Sequence, residues 1–358
     1  MLARRSRLNH PRVGEFELPL LVPAFSSKGF SFLFTGKGHK RRPYSEVAYE
    51  LAEFGKRPQR AVLVSAYDVH YGHYRAPNLE KGSSEAYLKN TALIFLDSGG
   101  YELSSEFDST EPQIGRHDPK AFDQAAYEAV LSQFHNLRAV PPLVIANYDH
   151  QTRGQPLDAQ IRAARALFNR FPSFVSDFII KPWRGAYVDP EELTPKDIAN
   201  LRGFNIIGVT EKELARDLFD RIKRVAQLRK RLDDEHIDAP IHIWGGLEPI
   251  ATPLLFFAGA EIFDGVSWLR YAYRNGVAIA RESYCVVSST GVTAQRSLNH
   301  IVASLDNLTS LEKLVIALQQ WVDYGGNDFS MFYPDVTAAL REAYQVMRAR
   351  IPALKGGQ

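Results

Sequence analysis

The chain has 358 residues, 45% of them apolar, with 43 basic and 41 acidic side chains and a formal net charge of +2. That length buries a large core in one big domain or two ordinary ones, and the near-neutral balance excludes a strongly basic nucleic-acid coat while leaving room for a local basic patch. The single cysteine, Cys285, excludes an internal disulfide framework and a cysteine-rich zinc site. A cytoplasmic protein is expected. Residues 1–11 are basic without the apolar stretch of a signal peptide. No run approaches the roughly 20 apolar residues of a membrane span, so no membrane partner is expected.

In chain order, eight apolar segments read as buried strands: residues 21–27, 61–67, 92–97, 143–149, 177–183, 204–209, 241–244 and 261–266. Amphipathic patterns alternate with them. Residues 45–54 place Val47, Leu51 and Phe54 on one face, with Gly55 as a stop. Residues 69–84 lack periodicity and read as a long functional loop. Residues 157–171 carry Ile161, Leu167, Phe168 and Phe171 at helical spacing. Thr194-Pro195 opens a helix with proline at its first position. Thr210 and Glu213 have the spacing of a capping box ahead of a helix through Leu214, Leu218, Ile222, Val225 and Leu232. Its basic residues, Arg221, Lys223, Arg224, Arg229, Lys230 and Arg231, read as a mostly solvated surface. Eight β/α alternations predict a (β/α)8 barrel over residues 1–296, with a doubly wound open sheet as the alternative. Residues 297–358 read as a C-terminal helical extension packed on the barrel.

In such a barrel the C-terminal strand ends converge on one mouth. There the sequence places Asp97, Asp149, Lys181, Glu211 and Asp264. The plain reading of such carboxylates is that they cap the next helix or pair with arginine. For Asp97 capping is set aside, because Ser98-Gly99-Gly100 is a poor helix start. Asp97 stands beside two glycines, which let a ligand lie against bare backbone, and Tyr101, which offers a face to a flat ring. Two carboxyl groups with separate duties are what retaining glycosyl transfer needs: one attacks the anomeric carbon and the other moves protons. Asp264 suits the nucleophile, with Gly265 leaving room for a sugar-phosphate, and Asp97 suits the acid/base.

The segment Asp97-Ser98-Gly99-Gly100-Tyr101-Glu102 resembles the Asp-Ser-Gly-Gly-Phe-Gln signature of the tRNA-guanine transglycosylase superfamily. Phe257-Ala258-Gly259-Ala260-Glu261-Ile262-Phe263-Asp264-Gly265-Val266 is similar to that family's nucleophile strand, and Arg270 and Arg274-Asn275-Gly276 follow it. Glu17-Leu18-Pro19-Leu20-Leu21-Val22-Pro23-Ala24-Phe25 resembles the family's opening strand, and Gly203-Phe204-Asn205-Ile206-Ile207-Gly208-Val209 its substrate-base strand. The motifs are colinear over residues 14–276. The resemblance implies a (β/α)8 barrel that exchanges guanine for a 7-deazaguanine, a pentosyltransferase reaction with no organic cofactor or metal. Asp264 is then the nucleophile and Asp97 the general acid/base. Ser98, Gly99, Gly100 and Tyr101 line the base, with Tyr101 stacking on it. Asp149 reads its amino edge, and Gly208 and Val209 contact its other side. Arg270 and Arg274 face the nucleic acid.

Two departures shape the substrate. The family's tRNA enzymes bind zinc through three cysteines and a histidine after the nucleophile strand, and this chain has only Cys285. Lys181-Pro182-Trp183 stands where the family usually has Gln-Gly-Gly, so Lys181 replaces a base-reading amide. The resemblance is therefore closest to the zinc-less branch that inserts 7-deazaguanines such as the 7-cyano form (preQ0) into DNA. The alternatives are a zinc-less tRNA enzyme, a non-catalytic nucleic-acid-binding paralogue, and an unrelated barrel acting on a phosphorylated sugar. That last reading needs a phosphate site at Trp244-Gly245-Gly246-Leu247. The expected partners are DNA, or alternatively tRNA, and a free 7-deazaguanine base. Helper proteins and a homodimer fit the resemblance, though no seam is readable. His70-Tyr71-Gly72-His73-Tyr74-Arg75 interleaves rings and charge in a way that suits stacking on unpaired bases, against the alternative of an ordinary polar loop. Its two histidines have metal-like spacing but lack further ligands nearby. Lys40, Arg41 and Arg42, in the basic run from Lys37, track phosphates or form a solvated turn.

Overall fold

The computed structural model describes residues 1–30, 32–35, 42–75, 89–104, 118–137, 141–150 and 152–355. Eight parallel strands close into a barrel: β1 (Leu20–Phe25), β2 (Val62–Ser65), β3 (Ile94–Asp97), β4 (Leu143–Ala146), β5 (Val175–Ile180), β6 (Ile206–Thr210), β7 (Ile241–Trp244) and β8 (Ile262–Gly265). Each is one of the eight expected strands. The pairing of β8 with β1, Asp264 opposite Val22, closes the ring and sets the open sheet aside.

Alternation along the strands divides the apolar residues into two populations. Leu20, Val22, Ala24, Leu63, Phe95, Val144, Val175 and Ile262 fill the barrel interior. Phe25, Val64, Ile94, Leu96, Ile145, Phe178, Val209 and Phe263 pack outward against the helices. The inward positions turn polar toward the C-terminal end: Ala24 is followed by Ser26, Leu63 by Ser65, Phe95 by Asp97 and Ile262 by Asp264. A hairpin of Arg7–His10 and Gly14–Glu17 lends Leu8 and Phe16 to the interior cluster.

The helices follow the expected alternation with local corrections. They are α1 (Glu46–Phe54), α2 (Ala66–Tyr71), α3 (Gly100–Leu103), α4 (Gln124–His135), α5 (Leu157–Phe168), α6 (Pro195–Ala199), α7 (Glu211–Leu214), α8 (Leu218–Asp234), α9 (Ala251–Phe257), α10 (Ser267–Arg270), α11 (Tyr284–Val287), α12 (Arg296–Asp323) and α13 (Pro334–Arg350). The expected loop at 69–84 begins inside α2, which ends on left-handed Gly72; residues 76–88 lie outside the described residues. The capping box forms at Thr194 and Asp197, but not at Thr210 and Glu213. Those two side chains turn to Lys181 instead, and the chain goes extended at Ala215 before α8 starts afresh. Nor is α8 a solvated basic face. Arg229 is fully buried and donates to the carbonyls of Ile237 and Ala239, Arg221 donates to Ala215, and Arg224 and Arg231 donate to the carbonyls of Leu214 and Leu193. These guanidiniums satisfy chain ends that α8 packs against.

After β8 the chain forms α10 and a hairpin of Tyr271–Arg274 with Val277–Ala280, closed by Asn275 and Gly276, both left-handed. That two-residue turn matches the twist of its strands. The C-terminal helices then dock on α9 through an aromatic cluster. Phe257, fully buried, lies 4.1 Å from Trp321, 5.3 Å from Tyr344 and 5.8 Å from Phe329 by ring centroid. No helix among the described residues is long and apolar enough to cross a membrane.

Because Phe257 joins four aromatic partners from the extension, Trp321, Phe329, Phe332 and Tyr344, Phe257→Ala is expected to lower unfolding stability by about 3–5 kcal/mol. Denaturant titration of the full chain checks this. A loss below about 1 kcal/mol would show that the extension does not share the barrel's core.

Candidate active site

Asp264 is the penultimate residue of β8, with its side chain only 7% exposed. Its Oδ1 accepts the Gly245 N–H at 3.0 Å and lies 3.2 Å from His242 Nε2, close enough for charge attraction though off hydrogen-bond alignment. His242 Nδ1 in turn lies 2.6 Å from Asp177 Oδ2. Burial alone would lower the histidine, but Asp177 and Asp264 reverse that and push it up to about 9. It therefore stands as an imidazolium between two carboxylates at neutral pH. Burial raises Asp177, with His242 opposing. The path from β5 to β7 crosses Gly208 on β6. A Cβ there would meet Trp244 Nε1 at 2.6 Å and Asp177 Oδ1 at 2.7 Å, so only glycine lets Asp177 lean over to His242.

Asp97 ends β3, three strands round the ring from Asp264. Its side chain is half-buried, and no described cation pairs with it. Burial, with the negative charges of Asp149 and Asp264 adding to it, raises the Asp97 carboxyl to about 7. Its Oδ2 accepts the Gly99 N–H at 3.1 Å, at the start of α3. A helix turn thus does start behind Asp97, contrary to the sequence expectation. Gly99 is left-handed, and a Cβ there would meet Tyr67 at 2.9 Å; one on Gly100 would meet His150 at 3.2 Å. Gly265 likewise faces Leu247, 3.1 Å from where its Cβ would be. The room these glycines leave is filled by protein rather than held open for a ligand.

Asp149 and Lys181 meet at the ends of β4 and β5. Ser98 Oγ donates to Asp149 Oδ1 at 2.6 Å, and Lys181 Nζ lies 3.0 Å from Oδ2. Lys181 also donates to Glu213 Oε2 at 2.7 Å and Thr210 Oγ1 at 3.2 Å. Burial alone would raise the Asp149 carboxyl, but Lys181 and Ser98 more than offset that and hold it below its usual range. Lys181 is a clamp between two carboxylates. Glu211, the remaining strand-end acid, pairs with Arg221 at 2.8 Å.

Tyr101 is half-buried on α3. Arg270 Nη2 donates to its hydroxyl at 2.6 Å, and Lys28 Nζ sits 4.5 Å from its ring centroid. Beneath it Glu102 is buried against the hydroxyls of Ser26 and Ser65, and burial beside Asp68 and Asp97 pushes it up to about 8. Val209 is fully buried and points into the outer core. Arg274 is exposed at the hairpin turn. His70 and Arg75 are exposed beside the mouth, but Tyr71 is packed, its hydroxyl donating to Ala121 and its ring under Lys120 at 4.7 Å. His73 turns inward to Asp68 at 2.8 Å. Lys40 and Arg41 lie outside the described residues, and Arg42 begins the strand Arg42–Ser45.

The sequence reading missed Asp177, His242, Glu102, Glu213 and Lys28. A signal existed for the first two. Each interrupts a strand that is otherwise apolar at inward positions, Val175-Ser176-Asp177 and Ile241-His242-Ile243, and a charge there needs a partner inside.

The pH dependence of stability follows from two of these groups. Glu102 holds its proton to about 8 when folded but releases it in the ordinary carboxyl range when unfolded, so its contribution falls as pH rises toward 8. The His242 contribution is fully present below its ordinary 6.5 and is lost as pH rises through about 9. Unfolding free energy is therefore expected to fall between pH 7 and 9, by up to about 1.4 kcal/mol per pH unit for each group titrating. Glu102→Gln should flatten the lower half of that fall in a denaturant series, and an unchanged slope would contradict the neutral Glu102.

No protein-family model matches this chain and no curated protein matches it. The functional reading rests on the motifs and on the geometry of the mouth.

Proposed function

We propose that the chain is a base-exchange transglycosylase that replaces guanine in nucleic acid, DNA by preference, with a 7-deazaguanine such as the 7-cyano form. The observation that carries this reading is the contrast between two carboxyl groups at one mouth. Asp264 has one oxygen held by Gly245 and His242, and no described residue donates to the other. Asp97 has no cation beside it among the described residues, and its carboxyl is raised to about 7. A nucleophile held in place opposite an acid that can give and take a proton at pH 7 is the division of labour that retaining glycosyl transfer requires.

In the proposed reaction the target base leaves the stack, which costs a few kcal/mol. Asp264 Oδ2 attacks the sugar C1′, the C1′–N bond breaks, and its electron pair goes to the base nitrogen, which takes the Asp97 proton. The incoming base then attacks C1′, returns a proton to Asp97, and displaces Asp264. By the resemblance, Asp149 and the Tyr101 ring receive the base. Asp149 has both oxygens engaged, so a base that binds its edge competes with Lys181 for Oδ2.

DNA is favoured over tRNA because the segment after Asp264 is a short helix, a hairpin and α11, with Cys285 as the single cysteine. The phosphorylated-sugar reading loses its main support. The Gly245 amide that would cradle a phosphate is turned to the protein's own Asp264.

Labelled 7-cyano-7-deazaguanine supplied with DNA and with tRNA tests the reading. Label is expected in DNA, absent with Asp264→Asn, and slowed by about 10²–10⁴-fold with Asp97→Asn, the usual span of a lost acid/base. Label in tRNA alone would overturn the choice of DNA. Because the first step needs protonated Asp97, kcat/KM for base release should fall as pH rises above about 7; a rate that climbs through pH 8 would remove Asp97 from the acid role.

A further inference from the structure

Strands β5 and β7 carry two buried groups, Asp177 and His242, that take part in none of the bond-making or proton-transfer steps of the proposed exchange. Both side chains are sealed from solvent. They form a line that ends on the nucleophile: Asp177 Oδ2 to His242 Nδ1 at 2.6 Å, then His242 Nε2 to Asp264 Oδ1 at 3.2 Å. The ring flanks are closed by Phe95 and Trp244, with centroids 5.4 and 4.5 Å away. The ionisable groups facing the imidazole are thus Asp177 on β5 and Asp264 on β8. The Gly245 amide reaches the same Oδ1 from the loop after β7. Gly208 supplies the gap over which Asp177 crosses.

We propose that His242, braced by Asp177, is a positioning residue for Asp264: it fixes Oδ1 as the held oxygen and Oδ2 as the attacking one, and it sets how readily the sugar ester on Oδ2 breaks. The inference rests on the base-exchange reading. When Oδ2 bonds to C1′, the carboxylate loses its charge and its attraction to the imidazole weakens. When the incoming base attacks C1′, the electron pair of the C1′–O bond returns to Asp264, and the attraction is restored. A cation beside Oδ1 therefore disfavours the ester relative to the free carboxylate and hastens the second half of the exchange. The Asp177 charge tempers that cation, so that Oδ2 of Asp264 stays available to attack. A lone buried imidazolium would suppress the first step as much as it helps the second.

Two measurements on the full chain test this. In 15N-labelled wild-type protein at pH 7, both His242 ring nitrogens should carry protons, with a strongly downfield Nδ1 proton that Asp177→Asn removes. A neutral His242 at pH 7 would overturn the proposal whether or not any variant folds. In the exchange assay, His242→Gln keeps an N–H in the region of Oδ1 but removes the charge. Its kcat should fall on the order of 100-fold, what a misplacement of about 1 Å can do, with KM for the incoming base little changed. The covalent adduct should accumulate, because its breakdown slows more than its formation. A His242→Gln protein with wild-type kcat and adduct level would overturn the role of His242 alone. Wild-type protein that exchanges no base would overturn the proposed function itself.

Discussion

A carboxylate inside a closed barrel has no water to stabilise it, so it must find a cation, find hydroxyl and amide donors, or keep its proton. The inward positions of this barrel turn polar near the mouth, and the acids gathered there are sorted by those three outcomes. Lys181 bridges Asp149 and Glu213. His242 bridges Asp177 and Asp264. Glu102 meets two serine hydroxyls and stays neutral near pH 7. No described cation reaches Asp97, whose affinity for a proton rises into the physiological range. The chemistry proposed for the mouth follows from this distribution: the acid with no described cation beside it moves protons, and the acid that shares one offers an oxygen.

The glycines serve the same sorting. Gly208 lets Asp177 and Trp244 lean into the space above β6, Gly99 turns left-handed against Tyr67, and Gly265 admits Leu247 beside the nucleophile. None of the three leaves an opening. At Gly208 two side chains sit closer than a Cβ would allow, and that closeness connects two strands that share no ladder, β5 and β7. The polar groups of the mouth are held by neighbours on other strands, as a preorganised site requires.

The architecture was legible because apolar runs of strand length alternate with helical patterns, and all eight runs became barrel strands. Asp97, Asp149, Lys181 and Asp264 were legible as charges at the ends of those runs. What escaped was pairing across strands. Thr210 and Glu213 have capping-box spacing, but Lys181 from another strand outbids the backbone for both. Asp177 and His242 lie 65 residues apart, and nothing local marks them as partners. The arginines of α8 look like a solvated face because their carbonyl partners come from loops that the helix pattern does not encode. Local spacing reports the element a residue sits on, whereas the partner of a buried charge is set by the closed ring.

The central claim is that Asp264 bonds to the sugar during exchange. Acid-quenching the enzyme with DNA in the absence of an incoming base, followed by proteolysis and mass spectrometry, tests it most directly. The account predicts a sugar-phosphate adduct on the peptide carrying Asp264, discharged when a 7-deazaguanine is added before the quench. Guanine released with no adduct, or an adduct mapped to a different residue, would contradict it.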